Sequence, residues 1–290
     1  MSENDKRKQE NINLDFGDDD FQFEWGEDEV CEKPGEEMSE DDFLDTMPPS
    51  KKSMTIFFLI DTSGSMEGTK IHTVNATMEE LLPELVGIGG AETDIRYAVL
   101  TFGERIEWLK KPLKVDENCI WERIKKVGGL TPMGGAFKEL CAKLSRSEFM
   151  NNPSLSYAPV IFLMSDGAPT DDHVEGFERL QKNNWFKYGL KIAVGIGAKP
   201  NMDILRGFTG NEELAVQVHN AKELKEMVTL LAIRSSQIGS KSMDLTGDGK
   251  EKSAQDVYKD KEKRLAEEIK KAKDIMSDEN VADITYDEGW

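Results

Sequence analysis

The stretch Met54–Met66, MTIFFLIDTSGSM, limits this 290-residue chain more than any other. Its first seven residues are all apolar or β-branched, and a turn follows them at once. A run of that kind reads as a strand buried on both faces, as in a parallel sheet covered by helices on either side. The strand ends in Asp61, and Ser63 and Ser65 follow within four residues. In open α/β sheets, ligands lie outside the carboxyl ends of the strands. Asp61, Ser63 and Ser65 offer oxygen only, the ligand type that hard divalent cations prefer. A strand that ends in Asp and caps the next helix through Ser65 would look the same locally, so the other strand ends must decide.

They repeat the theme. Ala158–Ser165, APVIFLMS, is a second buried run, and it releases Asp166 in the sequence DGAPTDD. Between the two runs lies an amphipathic helix with Ile71, Val74, Met78, Leu81, Leu82 and Leu85 on one face. A strand follows over Asp94–Phe102, then an extended stretch over Ile106–Val115 whose Pro112 suits an edge. The short gap at Gly103-Glu104 makes that pair a hairpin, so the edge strand is expected to be antiparallel. Trp121–Val127 reads as a short helix. A further helix runs from Pro132 to about Leu144, with Thr131 as its N-cap.

Beyond Asp166 the expected elements are a helix near 174–183, a strand at 191–197, a short helix at 202–208 and a strand at 214–219. A last helix is opened by Asn220 and Glu223 in a capping box. The whole reads as a doubly wound, mostly parallel six-stranded α/β sheet with one antiparallel edge strand and helices on both faces.

This arrangement sends Asp61 and Asp166 to the same edge of the sheet, with Ser63, Ser65 and Thr131 supplied by loops there. Two carboxylates roughly balance a divalent charge, and three neutral hydroxyls complete the face without adding to it. A coordination position stays open for an outside oxygen, which suits Mg²⁺ or Mn²⁺ better than a closed protein cage. Asp171 and Asp172 are expected to cap the following helix.

Asp61-Thr-Ser63-Gly-Ser65, Thr131 and Asp166 together resemble the von Willebrand factor type A domain, over roughly residues 54–235. The resemblance implies a metal-ion-dependent adhesion site. Ser63, Ser65 and Thr131 would bind the metal directly, and Asp61 and Asp166 largely through water. An Asp or Glu of a protein partner would fill the open position. The implied cation is Mg²⁺ in the first place, with Mn²⁺ or Ca²⁺ as alternatives. The wording TPMGGAF and SDGAPTDD is similar to the bacterial TerY-like branch, associated with tellurite resistance and stress. That branch implies a serine/threonine kinase or a protein phosphatase as partner.

Charge divides the chain into three parts. Residues 1–50 hold 18 acidic and 4 basic side chains, a net of −14, whereas residues 51–236 are nearly neutral at −1 and residues 237–290 carry −4. The expected organisation is an acidic disordered tail over 1–50, one globular domain over 51–236, and a polar linker, charged helix and acidic–aromatic end over 237–290. The charged helix, with a sparse stripe at Val257, Leu265, Ile269, Ala272 and Met276, reads as solvated or partner-seeking. Either acidic end could supply a carboxylate to the site in cis. Phosphate binding needs clustered Lys and Arg, so nucleic acid is excluded as a partner.

Cys31, Cys119 and Cys141 form no metal or disulfide pattern, and the start lacks an apolar leader, which together suggest the cytoplasm. Asp244–Gln255 imitates a calcium loop without its final Glu, and His72, His173 and His219 are isolated. A haloacid-dehalogenase-like phosphohydrolase also places an Asp after its first strand, but it needs a second Asp where this chain has Ser63. A binding module without enzymatic activity is therefore the expectation, with a scaffold carrying a vestigial metal site as the remaining alternative.

Overall fold

The structure is a computed structural model, and it describes residues 51–240, 246–247, 250–251 and 253–282. The acidic tail, Cys31 and the acidic–aromatic end at 283–290 lie outside the described residues, as do Asp244, Leu245, Asp248, Gly249 and Lys252 of the calcium-loop imitation. The elements are β1 (Lys52–Asp61), α1 (Thr69–Glu84), β2 (Thr93–Phe102), β3 (Ile106–Lys114), α2 (Met133–Lys143), β4 (Val160–Ser165), α3 (His173–Gln181), α4 (Asn184–Tyr188), β5 (Leu190–Ile196), α5 (Met202–Thr209), β6 (Ala215–Val218), α6 (Ala221–Ser240) and α7 (Ala254–Ala282).

The six strands lie in the order β3-β2-β1-β4-β5-β6. Within this sheet only the β2–β3 pair is antiparallel, with register shifts around Tyr97 and Val99. The fold class read from the sequence holds.

β1 explains why the sheet must be covered twice. Met54, Ile56, Phe58 and Ile60 point into one apolar layer, with Ile71, Val74 and Met78 of α1 and Leu224, Val228 and Leu231 of α6. Phe57 and Leu59 point into the other, with Phe137 and Leu140 of α2 and Leu205 and Phe208 of α5. Side chains alternate along a strand, so an unbroken apolar run feeds both layers at once. The strand order reverses between β1 and β4, which run parallel in register from Ile56↔Val160 to Ile60↔Met164. Chain crossovers leave that junction on opposite faces, and a crevice opens at its carboxyl end.

Two expectations are corrected. Trp121–Val127 is not helical. Asn75, buried on α1, satisfies the backbone there instead: its Oδ1 accepts from Trp121 Nε1 at 2.9 Å and from Ile124 N at 2.8 Å, and its Nδ2 donates to Ile124 O at 3.0 Å. With the Trp121 ring N–H and the Ile124 backbone met by that amide, the segment buries Trp121 and Ile124 without a helix.

The charged helix α7 is not a free helix either. Leu265 and Ile269 are fully buried in the layer formed by α1 and α6. Lys261 Nζ donates to Gly239 O at 2.9 Å, and Lys191 Nζ sits 4.5 Å from the centre of the Tyr258 ring. Leu265, Ile269 and Ala272, buried at helical spacing, suffice when a neighbouring helix offers a matching stripe. α6 offers it because it continues to Ser240.

Candidate functional site

The carboxyl ends of β1 and β4 bring Asp61 and Asp166 to the crevice. Asp61 has no exposed surface. Its Oδ1 accepts from Ser63 N at 2.8 Å, which folds the DTSGS turn back on the strand end. Its Oδ2 accepts from Ser165 Oγ at 2.6 Å, across the junction between the two strands. Burial pushes the Asp61 carboxyl above its ordinary pKa. The hydrogen bonds from Ser165 and Ser63 pull it back, and the charge of Asp166 adds to the rise.

The serine turn lies across these strand ends. Ser63 Oγ and Ser65 Oγ are 3.1 Å apart, and Ser65 Oγ donates to Asp166 Oδ1 at 2.7 Å. Adjacent ligands of an octahedral ion at about 2.1 Å lie about 3 Å from each other, so the hydroxyl spacing matches that geometry. The turn is held from outside by backbone bonds from Gly64 N to Gly129 O at 3.2 Å and from Gly128 N to Thr62 O at 2.8 Å. Gly129 must be glycine on two counts. Its φ is +78°, and a Cβ there would stand 2.7 Å from Glu104 Cα.

Thr131 reaches the same crevice from the loop before α2, and is buried. Its backbone is clamped to the loop after β4, with Thr170 N donating to Thr131 O at 2.9 Å and Thr131 N donating to Thr170 Oγ1 at 3.0 Å. A Cβ added to Gly167 would lie 3.6 Å from Thr131 Oγ1 and 3.7 Å from Ser65 Oγ. Both hydroxyls therefore face one small space that the bare glycine leaves open. Among the described residues the Thr131 hydroxyl takes part in no hydrogen bond. All five residues named from the sequence thus meet at one place in the fold.

Thr131 is not the N-cap of α2, which starts at Met133 with Pro132 as the flanking residue. The helix end is satisfied by Asp171, whose two carboxylate oxygens accept from Gly134 N at 2.8 Å and Gly135 N at 2.7 Å. Asp172 does what the sequence suggests for it, accepting from Glu175 N at the start of α3. Adjacent carboxylates therefore cap two different helices. Gly134 permits this, because a Cβ there would meet Asp172 O at 2.3 Å.

Two participants escaped the sequence reading. Ser165 could have been found from strand pairing, since it follows Met164, the partner of Ile60, and so stands beside Asp61. Lys70, near the start of α1, donates to Asp166 Oδ2 at 2.5 Å and to Ser65 O at 3.2 Å. Nothing local in the sequence announced it. Among the described residues no three His, Cys, Asp or Glu side chains gather as a metal-binding group. The oxygens at the strand ends come instead from two carboxylates and three hydroxyls.

Residues 55–230 match the family model described as von Willebrand factor type A domain. Among curated proteins, the inter-alpha-trypsin inhibitor heavy chain H2 of Mus musculus is 24% identical over 194 residues, which cover 62% of this chain and 19% of that protein. The collagen alpha-6(VI) chain of Homo sapiens is 25% identical over 177 residues, covering 59% and 7% respectively. This chain therefore spans only a minor part of the curated relatives it matches. Among solved structures, the pilus adhesin SpaC from Lactobacillus rhamnosus GG in its open conformation has a TM-score of 0.51 at 12% identity, over 64% of this chain and 30% of that one. Proximal thread matrix protein 1 from the mussel byssus has a TM-score of 0.50 at 18% identity, over 63% and 49%. Both are likenesses of fold.

Proposed function

The chain belongs to the von Willebrand factor type A family, and from that premise we propose that it holds a protein partner through a divalent cation at the β1–β4 junction. Domains of this family are in general interaction modules rather than enzymes. The observation that carries the reading is the continuous chain of contacts from Asp61 through Ser63 and Ser65 to Asp166, with the Thr131 hydroxyl facing the same space.

The roles follow from what each oxygen already does. Ser63, Ser65 and Thr131 present neutral hydroxyls at the open side and serve as direct ligands. Both Asp61 oxygens are engaged, by Ser63 N and Ser165 Oγ, so Asp61 acts as a buried counter-charge and through water. Asp166 orients Ser65 with one oxygen. A bound divalent cation, Mg²⁺ ahead of Mn²⁺ or Ca²⁺, supplies an electrophilic position for a carboxylate from outside. With neutral hydroxyls as its direct ligands and the two carboxylates set behind them, that cation would still favour an anionic side chain over water as its last ligand. Leu130, 70% exposed beside Thr131, offers an apolar contact to the residue flanking the partner's Asp or Glu.

The motif wording supports a place in the TerY-like branch, hence a setting of bacterial stress or tellurite resistance and a kinase or phosphatase as partner. The free thiols of Cys119 and Cys141 suit a reducing cytoplasm. The proposal includes no turnover, because Ser63 stands where a phosphohydrolase would need its general acid.

The test is a pull-down with the full chain in Mg²⁺ and in EDTA, using wild type and Ser63→Ala. Proteins that elute only from wild type in Mg²⁺ support the reading. The same proteins recovered in EDTA and on Ser63→Ala would contradict it.

A further inference from the structure

The Asp166 side chain is 1% exposed and its Oδ2 is taken by Lys70 Nζ, whose own side chain is 23% exposed. We infer that Lys70 is a built-in competitor of the divalent cation, a tethered monovalent charge that holds the site until a metal displaces it. The inference rests on the metal-site reading above and adds how occupancy of that site is controlled.

Three observations support it. First, Lys70 is the second residue of α1, and the first turn of that helix holds no acidic residue. A cation at a helix N-terminus opposes the helix dipole, so local helix energetics disfavour Lys at this position. Its contacts with Asp166 and Ser65 O account for the placement, and both belong to the candidate site.

Second, two buried carboxylates share the crevice, and a buried charge needs a compensating partner. Lys70 provides one positive charge against the two negative ones. The domain can therefore keep its serine turn closed without metal, while remaining under-neutralised and receptive to a second positive charge.

Third, the exposed part of Lys70 leaves it a way out. A lysine stem can keep its methylenes on the protein while the ammonium swings to water. An ammonium left on Asp166 Oδ2 beside a divalent ion would be repelled by it, so the two cations exclude each other. Lys70 thereby lowers the affinity of the site and makes metal occupancy conditional on concentration.

Isothermal titration of Mg²⁺ and of Mn²⁺ into the full chain tests this on wild type, Lys70→Met, Lys70→Arg and Ser63→Ala. Lys70→Met is expected to bind about tenfold more tightly than wild type, and Lys70→Arg to stay near wild type. Melting in EDTA provides a second readout. Lys70→Met is expected to melt below wild type there and to gain more from saturating Mg²⁺, because at a given ion concentration the stability added by binding grows with the logarithm of the affinity. Lys70→Gln repeats both arms should the Met variant fold poorly. Saturable binding in wild type that is lost in Ser63→Ala, yet unchanged or weaker in Lys70→Met and Lys70→Gln, overturns the competitor role and leaves the metal site standing. Absence of binding in every variant overturns the metal site itself, and this inference with it.

Discussion

Ser165 and Asp61 meet across the β1–β4 junction, the serine hydroxyl donating to Oδ2 at 2.6 Å. The bond joins the two strands at the point where their order reverses, and it anchors a carboxylate that has no access to water. A hydrogen bond to a charged group contributes about 1.5–3 kcal/mol. Ser165→Ala is expected to lose stability in that range by urea unfolding and to weaken Mg²⁺ binding. An unchanged midpoint and affinity would show that the bond orients nothing.

Asp171 reaches back 36 and 37 residues to cap α2 with both oxygens. Removing a cap typically costs about 1 kcal/mol, and up to about 2 where two donors are left bare. Asp171→Ala is expected at the upper end and Asp172→Ala at the lower, since Asp172 satisfies one donor on an exposed helix start. Thermal melts of the two variants side by side check the order. A larger loss from Asp172→Ala would contradict it.

Asn75 holds the segment 121–124 through three buried hydrogen bonds. Asn75→Ala would leave Trp121 Nε1 and both backbone groups of Ile124 without those partners. The expected cost is on the order of 3 kcal/mol. Release of the segment would shift Trp121 fluorescence to longer wavelength as the ring meets water. A variant with wild-type emission and stability would rule out the clamp.

The same three bonds show where the sequence was legible and where it was not. The strands could be read because an apolar run ending in a carboxylate has few alternatives, and β1, β4 and the turns directly after them carry Asp61, Ser63, Ser65, Ser165 and Asp166. Trp121–Val127 looked helical because its partner, Asn75, lies 46 residues away from the tryptophan it binds. Asp171 was assigned to the helix beside it because its true acceptor role depends on α2 and α3 approaching through Gly134. Lys70 was invisible for the same reason, since its meaning lies in Asp166, 96 residues on. Local pattern marks elements and strand ends, whereas side-chain partners chosen across elements need the packed fold. The helix α7 is the intermediate case: its stripe was seen, but the surface that covers it was not.

Lys191 is 7% exposed, and its ammonium donates to Phe186 O at 3.2 Å and Gly189 O at 2.9 Å beneath the Tyr258 ring of α7. Burial lowers its pKa from 10.5 to about 8, with Glu262 opposing the shift. Between those values the unfolded chain binds a proton that the folded chain has released. Stability is therefore expected to rise with pH through that window, by up to about 1.4 kcal/mol per unit, and to level off below 8, where both states hold the proton. Lys261, also lowered to about 8 by burial, adds in the same direction. Tyr97, raised to about 12 by burial, works the other way only above pH 10. Urea midpoints at pH 7.5 and 9.5 are expected to increase in wild type and to increase less in Lys191→Met. Equal slopes would contradict the assignment.

The proposed metal site requires hydroxyls from two distant loops to ligate one ion at the β1–β4 junction. A crystal of the full chain grown with Mn²⁺, examined for anomalous scattering, tests it most directly. One strong peak is expected within coordination distance of Ser63 Oγ, Ser65 Oγ and Thr131 Oγ1, with Asp61 and Asp166 behind it. A well-ordered junction with no peak, or a peak that leaves Thr131 out of reach, would contradict it.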